Sequence, residues 1–168
     1  MSYTIYEASV PVMIRALSNL SKILDKALAQ ATKDGMPLSA LLEARLAPDM
    51  HPFPRQIQMA SDAAKGAAAR LAGIDAPSMA DTETTFSELQ ARLAKTIEFL
   101  KSVDAGKISG SEDRTIVLKF PQGEMKFTGR DFLGQFALPN FFFHVTTAYA
   151  LLRHKGINIG KMDFLGGA

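Results

Sequence analysis

No cysteine occurs in this chain of 168 residues. That removes a disulfide framework, a thiolate nucleophile and any Cys-ligated zinc or iron–sulfur centre, and it fits a reducing cytoplasmic setting. Basic runs are also missing. The formal charge is only +2, with no Lys/Arg stripe to follow a phosphate backbone, so nucleic acid is not an expected partner. No uninterrupted apolar stretch reaches the roughly 18 residues a membrane span requires, so no membrane partner is expected. The opening MSYTIYEASV lacks a basic region followed by an apolar run, which predicts no secretory signal. No internal repeat, Gly-rich phosphate loop, nucleophile–base pair or convincing pair of carboxylates can be found.

What remains is an ordinary globular composition, 47% hydrophobic and 21% charged, in a length suited to one domain over residues 1–168. The apolar residues fall at helical spacing. Val10, Met13, Ile14, Leu17, Leu20, Leu24, Leu28 and Ala31 predict a long amphipathic helix over residues 10–31, stopped by Gly35 and Pro37. A short helical piece over 38–46 follows, and then Pro48, Pro52 and Pro54 predict a rigid extended bend over 47–54.

The second long helix is expected over 55–71. Ile57, Ala60, Ala64, Ala68 and Leu71 line one face, and Gly66, Ala69, Gln58 and Asp62 the other. Small residues on both sides suggest an interior position. A third helix starts near Thr84 or Thr85, where Thr85 and Glu88 have capping-box spacing, and carries Phe86, Leu89, Leu93, Ile97 and Leu100. The period then changes to two. Ile116, Leu118 and Phe120, answered by Met125 and Phe127 across Pro121-Gln122-Gly123, predict a β-hairpin. One or two helical turns over 130–138 lead into the last helix, residues 138–156, with Pro139 in its first turn and Gly156 at its stop. Nearly free of charge, this helix is expected to be buried all round except for one polar row. The tail, 157–168, is expected to pack along the surface or against a partner chain.

Asn140 and His144, four apart, share one face of that last helix, and Gln58 and Asp62 share a face of the second. The two pairs suit a site facing across a bundle, for which a divalent metal is one occupant. They equally suit a buried histidine bonded to a neighbour and a satisfied core acid. Asn and Gln are poor ligands for transition metals. His154, beside Arg153, suits a helix C-terminus, and His51 in the proline bend suits the surface.

Three stretches, RLAPDMHPFPRQIQMASDAAKGAAARLAG, DTETTFSELQARLAKTI and LPNFFFHVTTAYALLRHKGINIGKMDFL, resemble an uncharacterised bacterial branch, a domain of unknown function, of the DinB/YfiT-like superfamily. The resemblance spans nearly the whole chain. It implies an all-α, antiparallel four-helix bundle with a long crossover, often dimeric, here with the small hairpin before the last helix. Many members of that superfamily hold a divalent metal through three histidines, one on the second helix and two, four apart, on the last. By its distance from Leu152-Arg153 and Gly156, His144 takes the final ligand position. Asn140 then falls on the other last-helix position, and the second helix offers Gln56, Gln58 and Asp62 but no histidine. The expectation is a polar pocket around His144 with no tightly held metal and no cofactor. The alternatives are a metal-dependent transferase or isomerase acting on low-molecular-weight thiol adducts, with Asp62, Asn140 and His144 around a weakly held ion, or a stress-related module binding a small apolar ligand. A homodimer is expected because the first helix, the Phe-rich helix and the tail offer more apolar surface than one small bundle needs.

Overall fold

The computed structural model describes residues 3–167. The chain is largely helical, with one two-stranded antiparallel hairpin. Helix α1, Val10–Asp34, carries the expected stripe inward except at Leu28, which is exposed, and ends at Gly35, whose φ of 66° is the left-handed stop. It outruns the expected end because its final turn, Thr32 to Asp34, is exposed and polar, so the apolar pattern stops before the helix does. Helix α2, Leu38–Leu42, is shorter than expected. Helix α3, Phe53–Ala72, begins inside the proline bend. Pro54 sits in its first turn, where a missing N–H costs nothing. Fully buried Phe53 anchors that end against Phe86, with ring centroids 5.8 Å apart.

Helix α4, Phe86–Ser102, starts at the Thr85/Glu88 capping box as the spacing suggests. α3 packs against α7, Leu138–His154, and against α4, while α1 lies on both α4 and α7. The long link from α3 to α4, residues 73–85, is tied down by polar contacts. Lys65 donates to the Pro77 carbonyl at 2.9 Å, and Arg92 to the Ala80 carbonyl at 3.0 Å.

After the short α5, Ala105–Ile108, come β1, Ile116–Phe120, and β2, Gly123–Phe127. They pair antiparallel with Ile116 opposite Phe127 and Leu118 opposite Met125, the hairpin the alternation predicts. Gly123, with φ of 141°, closes the turn. At the hairpin's foot Gly129 approaches the chain so closely that a Cβ there would overlap the Ser111 carbonyl oxygen.

The last helical stretch has the expected lead-in, in an unexpected π-helical form. It is helical from Gly129, through α6, Gly129–Asp131, and a π-helical segment, Phe132–Ala137, directly into α7. Pro139 lies in the first turn of α7, as expected, but does not interrupt the helical path that precedes it. Inside an α-helix a proline leaves a carbonyl one turn earlier unbonded and crowds it. The wider π-helical turn just ahead relieves that conflict. Nor is α7 buried all round. Its inner face is covered, but Phe143 is 55% exposed beside exposed Thr146.

The tail turns back onto its own chain. Ile157 and Ile159 are buried, and α8, Lys161–Leu165, lies on α1. Asp163 pairs with Lys26, Asn19 donates to the Phe164 carbonyl at 3.1 Å, and Phe164 meets Tyr149 edge-on at 5.8 Å.

Candidate functional site

His144 is buried on the face of α7 that meets α3. Its Nδ1 lies 2.9 Å from the Gln56 side-chain oxygen, and the Gln56 amide nitrogen donates to the His51 backbone carbonyl at 3.1 Å. A carbonyl can only accept. The amide NH2 must therefore face His51, which leaves the amide oxygen facing His144. Nδ1 must in turn carry the proton, and the neutral ring keeps its lone pair on Nε2. Among the described residues Nε2 has no hydrogen-bond partner, and His144 lines a cleft of about 310 Å³.

The cleft is assembled from three places. α3 contributes Arg55, Met59, Asp62 and Arg70; the hairpin and the π-helical segment contribute Leu118, Lys119, Phe120, Phe132 and Phe136; α7 contributes Asn140 and His144. The aromatic wall is knit together, with Phe132 stacked on Phe136 at 6.2 Å and Phe127 packed on both at 6.2 and 6.0 Å.

The sequence-derived candidates separate here. Asn140 and Asp62 line the same cleft as His144; Gln58 does not. Gln58 accepts from Arg55 at 3.2 Å and donates to Glu83 at 3.0 Å, on the side facing the 73–85 link. Asp62 is engaged by Arg92 at 2.8 Å and Lys65 at 3.0 Å. The α3 partner of His144 is thus Gln56, rather than Asp62 or Gln58. The signal for Gln56 was present: three residues after Phe53 and four before Ala60, it is a polar residue on the core stripe. His51 takes part through its backbone carbonyl, and its side chain is exposed.

A neighbouring cluster ties the link to α3 and α4. Arg92, its side chain 1% exposed, pairs with Asp62, Asp81 at 3.0 Å and Glu83 at 3.0 Å. Burial alone would raise the Asp81 and Glu83 carboxyls. For Asp81 the hydrogen bonds and charges of Arg55 and Arg92 outweigh burial and hold it below its usual range. For Glu83 Arg92, with help from Gln58 and its own backbone N–H, does the same.

Burial pulls the His144 imidazole below its ordinary value of 6.5, and charge at His51 and Arg55 acts in the same direction. The folded state therefore binds this proton less readily than the unfolded chain, and stability falls as pH falls. The loss should begin near pH 6.5, above the onset for Asp81 and Glu83, and continue down to the depressed native value. Urea midpoints of wild type and His144→Gln should converge as the pH is lowered through that window. A constant difference between them would contradict the assignment.

The donor set does not fit a three-imidazole metal centre. His144 is the only imidazole lining the cleft, Asp62 is held by two cations, and Asn140 supplies only an amide. Among the described residues no three His, Asp or Glu side chains converge as a metal site.

The architecture is that of a DinB-like protein. A DinB family member protein from Shewanella denitrificans, known from a crystal structure at 1.83 Å resolution, is 39% identical over 98% of this chain and 93% of its own, with a TM-score of 0.89. Residues 5–165 match the family described as a domain of unknown function (DUF1993), and the chain belongs to that family. No curated protein matches. Among the described residues no helix is long and apolar enough to cross a membrane.

Proposed function

We propose that this chain is a small-molecule-binding DinB-like protein, with its four long helices forming an antiparallel bundle and the His144 cleft serving as the binding site. The observation that carries the reading is the relay from the His51 carbonyl through Gln56 to His144. It locks one tautomer and leaves an acceptor lone pair on Nε2 beside an aromatic-walled space. That lone pair faces the cleft, so a ligand donor that reaches it gains a hydrogen bond that a purely apolar occupant cannot make. The test is a fragment screen by ligand-observed NMR. Hits should carry N–H or O–H donors, move the His144 ring resonances and vanish in His144→Phe. Hits indifferent to that substitution would overturn the reading.

The homodimer expected from the sequence finds support in a different surface from the tail. Leu46, Phe142, Phe143, Thr146 and Ala150 border an apolar groove on the outer side of α7, and Phe143 and Leu46 are 55% and 44% exposed. Self-association through this strip would cover it. Light scattering should give a dimer mass for wild type and a monomer mass for Phe143→Ser. A monomeric wild type at micromolar concentration would refute the dimer.

A further inference from the structure

The charges around the cleft do not cancel. Arg55, Arg70 and Lys119 line it, against Asp62 alone, and Asp62 is already paired with Arg92 and Lys65. Arg55 is engaged by Asp81 and Gln58. That leaves Arg70, for which no carboxylate partner exists among the described residues, and Lys119, which meets only Glu124 at 3.9 Å on an exposed strand pair. Arg70 is exposed. Its guanidinium folds back over Gly66, occupying the space a Cβ at that position would take. Phe120 and Phe136 line the same cleft, as does His144 with its Nε2 acceptor. An anion is drawn to such a site because charge-assisted hydrogen bonds are about twice as strong as neutral ones. A volume of about 310 Å³ lies at the small end of ligand pockets and suits one or two rings.

We propose that the cleft takes a small organic anion with a flat apolar body, its carboxylate-like group against Arg70 and Lys119 and an N–H or O–H donor on His144 Nε2. This rests on the reading of the cleft as a binding site, and adds charge selectivity to it.

Three indole probes separate the parts. Indole-3-acetate has ring, donor and anion; 3-methylindole lacks the anion; 1-methylindole-3-acetate lacks the donor. The protein contains no Trp, so indole fluorescence reports the probe alone. Indole-3-acetate should bind at least tenfold more tightly than either other probe and shift the His144 ring resonances. Arg70→Gln should abolish most of its advantage over 3-methylindole. Gly66→Ala, which displaces the Arg70 guanidinium without removing its charge, should reduce that advantage several-fold while the fold is kept. His144→Phe should erase the advantage over the N-methyl probe.

Equal binding of indole-3-acetate and 3-methylindole, with His144 shifted by both, would overturn the anion proposal while leaving the cleft a binding site. Binding that leaves His144 unmoved, or no binding by any probe, would overturn the proposal and count against the cleft itself.

Discussion

Arg92→Ala is expected to cost about 3 kcal/mol, the low end of the range for removing one partner from a buried ion pair. Arg92 is 1% exposed, whereas its partners Asp62, Asp81 and Glu83 are 40%, 34% and 12% exposed. Water therefore compensates the orphaned carboxylates in part, and the upper end of that range does not apply. The network is already imperfect, since Arg92 Nε is buried without an acceptor among the described residues. In a domain of this size the loss corresponds to roughly 6–12 °C in Tm. Asp81→Asn with Glu83→Gln, harmful in the wild-type background, should recover part of the loss in Arg92→Ala, because the repelling charges go with the cation. Urea denaturation of the four proteins measures the coupling. A single-variant loss below 1 kcal/mol, or strict additivity, would show that the 73–85 link is held by something other than Arg92.

The same cluster explains why the candidate site was only partly legible from the residues. Helical stripes could be read directly, since the spacing of Leu17, Leu20 and Leu24 or of Ala60, Ala64 and Ala68 is itself the physical cause of the buried face. The hairpin could be read for the same reason at period two. Asp62 could not be assigned, because its partner Arg92 comes from α4, thirty residues on, and the link that brings Asp81 and Glu83 to it has no periodicity. The choice of Gln56 over Gln58 beside His144 depends on the rotation of α3 against α7, which neither helix encodes alone. The cationic rim was missed for a similar reason: Lys119 reaches the cleft only because the hairpin packs on the π-helical segment at its side. Pro139 marks the first turn of α7 as read, whereas the π-helical form of the turn ahead of it leaves no mark in the spacing.

That turn is where stability and the candidate site depend on one side chain. Phe132 is 2% exposed at the start of the π-helical segment, contacts Phe127 of the hairpin and Phe136 of its own segment, and lines the cleft. Phe132→Ala is expected to cost about 3–5 kcal/mol through lost transfer energy and the void left behind. The cleft side opens to water, which limits the void and favours the lower end. Because Phe127 sits on the strand paired to Ile116, the loss should fall unevenly. Amides of residues 116–127 should exchange faster in native-state hydrogen exchange than the global destabilisation requires, while those of α1 and α4 follow the global change. Phe132→Leu keeps most of the volume and should cost about 1 kcal/mol, with the hairpin still protected. If Phe132→Ala lowers stability by less than 1 kcal/mol, the wall is not a packed part of the core. If it lowers hairpin and helix protection equally, the hairpin is held by its own pairing, and its place over the His144 cleft does not depend on the aromatic cluster.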